Sequence, residues 1–243
     1  IAEMTPSQTP SFKDPSEYKI VGTHKPRRDI PAKVDGSLKF ALDVRLPGML
    51  FASVVRSPVS GGSIVNVNDS AARAIEGVVD VIVIPESSVD SMLGATISGE
   101  AVAVVADSYW TANRALQELS VQWSETGFES VSSDDIFAQF DRDISSRRDR
   151  QTDRLEGEAD SVFSTAAKVI DADYHVPYLA HTCMEPLNAT ADVRNGRAEV
   201  WVGCQNPLGF RRDVANVLGL GEENVMLHNH AMGGGFGRKS RPD

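Results

Sequence analysis

The chain reads Ala101-Val102-Ala103-Val104-Val105-Ala106-Asp107-Ser108-Tyr109-Trp110 near the middle of its 243 residues. An unbroken run of small and β-branched apolar residues is typical of a buried strand. Asp107 and Ser108 follow at once, and short polar side chains of this kind cap helix N-termini. The pattern therefore predicts a helix over residues 109–119. A strand joined so tightly to a helix indicates a domain in which helices pack on a sheet.

The sequence around this unit extends the same pattern. Strands are predicted over residues 38–46, 50–56, 64–67, 78–84 and 120–123, and a short helix over residues 71–75. Pro47-Gly48 predicts a hairpin turn between the first two strands, and Gly77 is expected to end the short helix. We therefore predict that residues 32–123 form a mixed domain of the α+β class, with helices on a largely antiparallel sheet.

The second half of the chain predicts another structural unit behind a polar segment. Residues 127–158 are rich in Ser, Asp and Arg and are interpreted as a linker that contains one helix, over residues 133–140. Strands are predicted over residues 166–176, 189–193 and 198–202, and residues 225–229 lead into a glycine-rich run. Asn195-Gly196 is a strong hairpin signal, and Pro207 and Gly219 bracket a predicted helix. The predicted division is a disordered lead-in at 1–18, a domain at 19–125, a linker at 126–160 and a second portion at 161–243.

Composition excludes several classes of function. The net charge of −10 argues against binding to nucleic acid or to anionic membranes. The two cysteines, Cys183 and Cys204, are too few for a four-cysteine iron–sulfur or zinc site, and both are expected to be free thiols. No stretch is long and apolar enough to span a bilayer. The chain starts at Ile1, which suggests a processed chain or an internal piece of a longer one.

The run Met232-Gly233-Gly234-Gly235-Phe236-Gly237-Arg238-Lys239 is the main candidate binding element. Glycine reaches positive φ angles and lets a ligand approach the backbone closely. Successive main-chain amides in such a loop can hold an anionic group. The spacing fits neither a P-loop nor G-x-G-x-x-G, so a nucleotide motif is a poor interpretation. A tight turn between a strand and a helix would look similar.

Two further candidates accompany the glycine run. His181-Thr182-Cys183-Met184-Glu185-Pro186 brings an imidazole, a thiol and a carboxylate into six residues. A Cys–His nucleophilic pair is one interpretation. The other is that His181 and Glu185 satisfy buried backbone groups at the entry to a strand. Gln205 precedes the predicted helix, and its amide either donates to a ligand oxygen or serves as an ordinary capping residue.

The order of these motifs resembles the large subunits of molybdenum hydroxylases, the xanthine dehydrogenase and aldehyde oxidase superfamily. The resemblance is strongest to the large molybdopterin-binding subunit of isoquinoline 1-oxidoreductase and of membrane-associated aldehyde dehydrogenases, and it covers residues 18–123 and 162–243. The motifs similar to the hammerhead domain are Lys33-Val34-Asp35-Gly36, Leu46-Pro47-Gly48-Met49-Leu50, Val54-Val55-Arg56-Ser57-Pro58, Ala103-Val104-Val105-Ala106, Tyr109-Trp110 and Ala112. Those similar to the pterin-binding region are His181, Met184-Glu185-Pro186-Leu187-Asn188-Ala189-Thr190-Ala191, Gln205 and the glycine run.

The resemblance implies a hammerhead domain followed by the first part of the molybdopterin-binding domain. It also implies hydroxylation of N-heterocycles or oxidation of aldehydes, with oxygen taken from water. The cofactor would be molybdenum on a molybdopterin dinucleotide, usually that of cytosine, held by the pterin dithiolene and not by protein side chains. By this resemblance Gln205 and Phe236 take supporting catalytic roles beside the cofactor. The positions matching its binding residues are Gln205, Gly233, Gly234, Gly235, Phe236, Gly237 and Arg238.

The resemblance also indicates what the chain does not contain. The family's general-base glutamate lies downstream of the matching region, and Glu185 is not that residue. We therefore expect the chain alone to be inactive. Its expected partners are the rest of a large subunit or a complementary chain, and a small subunit that carries the [2Fe-2S] clusters. The alternative is a non-catalytic fragment or assembly module that binds a complementary chain but no cofactor. Relatives exported to the periplasm suggest that compartment.

Overall fold

The computed structural model describes residues 11–91, 94–146, 151–154 and 156–241. Residues 1–10 of the predicted lead-in lie outside the described residues. Residues 11–18 are exposed and contain one turn of 3-10 helix, at Pro15–Glu17. Two groups of strands and helices follow, and each is organised around its own three-stranded sheet.

The first group corresponds to the first predicted domain. Its elements, in chain order, are α1 (Ile30–Val34), β1 (Phe51–Arg56), β2 (Ile64–Asn68), α2 (Ser70–Arg73), β3 (Val78–Ile84), β4 (Ser87–Ser91), β5 (Gly94–Ser98), β6 (Ala101–Ala106), α3 (Tyr109–Gln117) and β7 (Ser120–Trp123). The main sheet has the order β1-β6-β3 and is antiparallel throughout. β2 pairs with β7, and β4 pairs with β5, in two small antiparallel sheets.

The strand and capped helix at residues 101–119 form the centre of this group. β6 is the middle strand, and all of its residues are buried except the half-buried Val105. Ser108 caps α3, because its side chain accepts a hydrogen bond from the Thr111 N–H. Ala112 and Ala115 of α3 are fully buried. Their small side chains let the helix lie close to the sheet, and Val104 packs in the same cluster with Ala115.

The predicted hairpin before β1 is wrong. Residues 38–46 form no strand, and a 3-10 helix at Ala41–Asp43 takes their place. The Asp43 carboxylate accepts from the Phe40 N–H at 3.0 Å, and the Asp43 N–H donates to the Phe40 carbonyl. These local bonds satisfy backbone groups that a strand would need a neighbour to satisfy. Gly48 does form the predicted turn, at φ 72°. Phe40 makes one parallel bridge with Ala231, far along the chain.

The polar segment contains the helix α4 (Ser133–Ser146). The second group follows it, and its elements are α5 (Ala159–Phe163), β8 (Ala189–Arg194), β9 (Arg197–Val202), α6 (Pro207–Leu218) and β10 (Val225–Asn229). α4 extends beyond the predicted residues 133–140. The sheet has the order β10-β9-β8, with β8 and β9 antiparallel and β9 and β10 parallel. The predicted hairpin is confirmed, with Asn195 and Gly196 both at positive φ.

The helix α6 begins and ends where the sequence predicts. The Asn206 side chain accepts from the Gly209 N–H, Pro207 opens the helix, and Gly219 ends it at φ 64°. The helix covers one face of the sheet, where Ala198, Ala215 and Val225 share a buried cluster. A second buried cluster contains Val200, Val202 and Cys204. Helix α6 connects β9 to the parallel strand β10.

The strand predicted over residues 166–176 is absent from the structure. These residues have no regular secondary structure, and all of them are exposed. Their alternating pattern predicted a strand, but a strand needs a neighbouring strand to satisfy its backbone groups. Within the described parts of the chain, no strand pairs with them. The alternating pattern alone was therefore insufficient to predict a strand.

The first group packs helices on an antiparallel sheet, and the second packs α6 on a mixed sheet, so the predicted α+β class is confirmed. None of the helices in the described residues combines the length and apolar character that a membrane span needs.

Candidate functional site

The glycine run forms a loop that follows β10 and ends in a 3-10 helix at Arg238–Ser240. We call residues 233–237 the glycine loop. Gly234 and Gly237 adopt φ angles of 105° and 89°, which other residues rarely reach. Phe236 lies between them at φ 49°, although it is a bulky non-glycine residue. Such outliers persist only where the surrounding structure holds them, and they concentrate at functional sites.

The backbone N–H groups of the glycine loop fall into two sets. The Gly233 N–H donates to Glu185 Oε2 at 2.9 Å, and the Gly237 N–H donates to Gln205 Oε1 at 3.0 Å. The N–H groups of the three residues between them, Gly234, Gly235 and Phe236, have no acceptor among the described residues. The loop thus has three consecutive N–H donors that no described residue accepts from, an arrangement that can bind an anionic group.

Gln205 lies beside the glycine loop, between β9 and α6. Its backbone N–H donates to the Lys239 carbonyl at 2.9 Å, which fixes the residue to the 3-10 helix after the loop. Its Oε1 is engaged by Gly237, and its Nε2 has no partner within the part of the chain described. A Cβ at Gly235 would lie 2.7 Å from Gln205 Oε1, so the amide packs directly on the backbone there. Gln205 therefore offers its N–H donors next to those of the loop.

The segment around Cys183 packs against the other side of the glycine loop. A Cβ at Gly234 would lie 3.4 Å from Cys183 Cα, and Cys183 Sγ is 3.7 Å from the Gly235 carbonyl oxygen. Thr182 precedes it at φ 45°, which is strained for a β-branched residue. Of the three non-glycine residues at positive φ in the described chain, Thr182 and Phe236 therefore belong to segments that pack together.

Glu185 and Lys239 form an ion pair beneath the loop. The Lys239 Nζ lies 2.7 Å from Glu185 Oε2, and the side chains are only 3% and 6% exposed. Burial raises the pKa of the Glu185 carboxyl, but hydrogen bonds from Lys239, Gly233, Asn188 and Leu42 outweigh it and hold the pKa below its usual range. The Glu185 carboxyl is therefore ionised at neutral pH, and both of its oxygens accept hydrogen bonds.

The structure brings most of the predicted site residues together. Gln205 and the glycine loop are in contact, and Arg238 follows directly, with its N–H donating to the Gly235 carbonyl at 2.8 Å. Glu185 accepts from the part-buried backbone N–H groups of Gly233 and Leu42, as one of the two interpretations predicts. The same prediction for His181 is wrong, because His181 is exposed. Within the described residues, no hydrogen bond joins His181 to Cys183, so the geometry gives the Cys–His interpretation no support.

Sequence reasoning missed Lys239 and Leu42 as parts of the site. Lys239 was visible only as the second of two cations after the glycines, and nothing in its neighbours indicates burial. Leu42 contributes only its backbone N–H, which donates to Glu185 Oε1 at 3.3 Å. No group of three His, Cys, Asp or Glu side chains suited to a metal ion occurs among residues 11–91, 94–146, 151–154 and 156–241.

The two cysteines differ in burial. Cys204 is 2% exposed, and burial raises the pKa of its thiol, whereas Cys183 is half-buried. Because the thiolate is the reactive form, we expect a maleimide to label Cys183 quickly and Cys204 only after unfolding. Peptide mapping by mass spectrometry after short labelling measures both sites, with Cys183→Ser as the control. Equal labelling of the two thiols in the native protein would contradict this assignment.

Two protein families match the chain. The family "Aldehyde oxidase and xanthine dehydrogenase, a/b hammerhead domain" matches residues 35–127. The family "Molybdopterin cofactor-binding domain" matches residues 143–242, which include Glu185, Gln205 and the glycine loop. Together the two matches account for most of the chain.

Curated relatives match nearly the whole chain. It is 30% identical to the beta subunit of isoquinoline 1-oxidoreductase of Brevundimonas diminuta, over 96% of the chain and 29% of that protein. It is 32% identical to a nicotinate dehydrogenase subunit of Pseudomonas putida, over 93% of the chain and 18% of that protein. The chain therefore spans less than a third of the length of these relatives.

The fold also matches solved structures. The aldehyde oxidoreductase of Desulfovibrio desulfuricans superposes with a TM-score of 0.66 at 20% identity, covering 96% of this chain and 29% of that one. At this identity the likeness concerns the fold, which agrees with the two domain matches. The chain, a hammerhead domain joined to part of a molybdopterin-binding domain, belongs to the molybdenum hydroxylase superfamily of xanthine dehydrogenase and aldehyde oxidase.

Proposed function

We propose that the chain is part of the molybdenum cofactor-binding subunit of an oxidoreductase that hydroxylates N-heterocycles or oxidises aldehydes with oxygen from water. The names of the two relatives above, an isoquinoline oxidoreductase and a nicotinate dehydrogenase, support N-heterocyclic substrates. The resemblance to aldehyde dehydrogenases supports the second class. Both classes contain an electron-poor carbon, which suits oxidation by the same cofactor.

The observation that carries the proposal is the row of unused donors on the glycine loop. The N–H groups of Gly234, Gly235 and Phe236 are free of acceptors in the described residues, and Gln205 lies beside them. Buried backbone donors are almost always paired in native proteins, and Gly235 is buried. A ligand with several acceptor atoms would satisfy them, and the absence of side chains at Gly234 and Gly235 lets it come close.

The molybdenum–pterin group fits this set of residues. It brings its own sulfur ligands to the metal, so the protein has to supply hydrogen bonds and space, which are what the loop and Gln205 supply. When bound, the group supplies two-electron redox chemistry at a carbon atom of the substrate. The Gln205 amide would donate to a polar atom of the group, and the loop amides would stabilise negative charge on it. Phe236, at 72% exposure, would cover one side of the group.

A dinucleotide form of the pterin, with cytosine, is the form we propose. Arg238 follows the loop directly and is half-buried. Its guanidinium is suited to a phosphate, since planar N–H pairs match phosphate oxygens. The remaining binding residues are the glycines at 233, 234, 235 and 237. In this proposal Gly233 is held by Glu185 and Gly237 by Gln205, so both ends of the loop are fixed before the cofactor arrives.

The same proposal assigns the rest of the machinery to other chains or segments. We propose a hammerhead domain at 19–125, a linker at 126–160 and the molybdopterin-binding portion at 161–243. The complementary part of the large subunit would supply the general base. A small subunit with [2Fe-2S] clusters would accept the electrons.

Gln205→Ala tests the catalytic part of the proposal. If the Gln205 amide donates to the cofactor during turnover, its loss should lower kcat by about a hundredfold, while molybdenum content stays close to that of the wild type. Substrate turnover and elemental mass spectrometry on the same sample of the assembled enzyme, with the chains that complete the pocket, measure both. Gln122→Ala, at an exposed position of β7, should change neither. A Gln205→Ala protein that loses its fold, or that turns over normally, would contradict the assignment.

A further inference from the structure

Four hydrogen-bond donors converge on the buried carboxylate of Glu185. The Lys239 ammonium and the Gly233 N–H donate to Oε2 at 2.7 and 2.9 Å. The Leu42 N–H and the Asn188 side-chain amide donate to Oε1 at 3.3 and 3.4 Å. All four partners are donors, so only an acceptor with two free oxygens can serve them all.

These donors come from separate parts of the chain. Leu42 belongs to the 3-10 helix before β1 in the hammerhead group, Gly233 opens the glycine loop, and Lys239 lies in the 3-10 helix that follows the loop. The Glu185 N–H also donates to the Gly233 carbonyl at 3.0 Å, so Glu185 binds both the N–H and the C=O of that glycine. A Cβ at Gly233 would lie 2.5 Å from Glu185 Cβ, which shows how closely the two backbones approach.

We propose that Glu185 is the positioning residue of the glycine loop, which it ties to the hammerhead domain and to Lys239. This inference rests on the proposed function, in which the amides of Gly234, Gly235 and Phe236 bind the cofactor. Glu185 makes two hydrogen bonds to Gly233, the first residue of the loop, and so fixes the backbone that carries these amides. Lys239 in turn fixes Gln205, since the Lys239 carbonyl accepts from the Gln205 N–H. The ion pair therefore sets the positions of both cofactor-facing elements.

A positioning role can be separated from the simple cost of burying charge. Removing one partner of a buried ion pair is strongly destabilising, whereas replacing both by apolar residues of similar volume is often neutral. Lys239→Met removes the ammonium, and Glu185→Leu combined with Lys239→Met removes both charges. In the double variant no charge is left unpaired, but the Gly233 N–H, the Leu42 N–H and the Asn188 amide have lost their acceptor. Stability and cofactor retention should then respond differently.

The experiment uses the natively purified protein and measures melting temperature and the rate of molybdenum loss to a chelator. We expect the double variant to melt closer to the wild type than Lys239→Met does, but to lose molybdenum about tenfold to a hundredfold faster than the wild type, the range typical of residues that orient metal-site groups. Lys239→Met should show both defects. If the double variant regains the wild-type release rate along with its stability, Glu185 only balances a buried charge and the proposal is overturned.

Lys33→Met is the matched control. Lys33 Nζ lies 2.7 Å from the Asp29 carboxylate, the same distance as in the buried pair, but both side chains are 38% exposed. The same substitution there should leave melting temperature and molybdenum release unchanged. A release rate raised as much as in Lys239→Met would show that the effect does not come from the buried pair.

Amide hydrogen exchange tests the hydrogen bond between Glu185 and Gly233 without any variant and without cofactor. In cofactor-free wild-type protein, the Gly233 amide should exchange at least about tenfold more slowly than the Gly234 amide, which has no acceptor in the described residues. Equal rates would overturn the positioning role, whatever the fold of the variants. A wild-type protein that binds no molybdenum would contradict the proposed function, and this exchange ratio would still decide the role of Glu185.

Discussion

Gly235→Val is expected to remove the cofactor from the purified protein while the chain stays folded. A Cβ at Gly235 would already lie 2.7 Å from Gln205 Oε1 and 3.1 Å from its Cδ. A branched side chain would push the Gln205 amide away and fill the space in front of the loop amides. Overpacking of this kind typically costs about 1–3 kcal/mol of stability, which most folded domains survive. Molybdenum per chain, measured by elemental mass spectrometry, should fall at least about tenfold.

Gly99→Val is the control for this substitution. A Cβ at Gly99 meets nothing within 4 Å, and its φ angle is not in the left-handed region. The control protein should keep its full molybdenum content. If Gly235→Val also retains molybdenum at the wild-type level, the glycine loop does not approach the cofactor and the proposed binding site is wrong.

Glu185→Gln is expected to destabilise the protein by about 3–5 kcal/mol at neutral pH. Glutamine keeps the shape of the side chain but turns one acceptor oxygen into an NH₂ group. That group would face donors, since Lys239, Gly233, Leu42 and Asn188 all donate to the carboxylate. The buried Lys239 ammonium would also lose its counter-charge. Urea unfolding at pH 7, followed by circular dichroism, measures the difference in the free energy of unfolding.

The exposed pair Arg154–Glu156 supplies the control. Glu156 Oε1 lies 2.5 Å from the Arg154 guanidinium, but the side chains are 79% and 72% exposed. Glu156→Gln should therefore change the free energy of unfolding by less than about 1 kcal/mol. An equal loss of unfolding free energy in the two variants would contradict the claim that burial makes the Glu185–Lys239 pair more important for stability.

The effect of Glu185→Gln should depend on pH in a defined direction. The pKa of Glu185 in the folded protein is lowered, so its stabilising contribution is present above the ordinary glutamate pKa of about 4.3. It is lost as the pH falls through the lower pKa of the folded state. The difference in the free energy of unfolding between the wild type and Glu185→Gln should therefore become smaller at acidic pH. A difference that stays constant from pH 7 to pH 3 would contradict the ionised state of Glu185.

Local signals predicted the elements whose stability is local. Ser108 caps α3, Asn195-Gly196 turns the β8–β9 hairpin, and Gly219 ends α6, each as its residue type requires. The failures are elements that depend on distant partners. Residues 38–46 alternate adequately for a strand, yet Asp43 satisfies the Phe40 backbone locally. Residues 166–176 also alternate, and no strand pairs with them within the described chain.

The candidate site shows the same division. The glycine loop could be identified from the sequence, because a loop that needs positive φ angles is rich in glycine. Gln205 could be identified by its resemblance to the family. The partners of Glu185 could not be identified in this way, since Lys239 lies 54 residues from it and Leu42 contributes only a backbone N–H. Charged side chains are rarely buried without a partner, but their burial becomes visible only in the folded chain. Sequence reasoning therefore found the residues proposed to face the cofactor and one role of Glu185, but missed Lys239 and Leu42 as partners of Glu185.

Molybdenum content of the natively purified protein, with every polypeptide in the sample identified, tests the central claim most directly. Near-stoichiometric molybdenum, with a partner polypeptide or segment that completes the pocket, is the result we predict. Absence of both metal and partner in the native species would contradict the claim and leave the glycine loop as a folding element of a non-catalytic module.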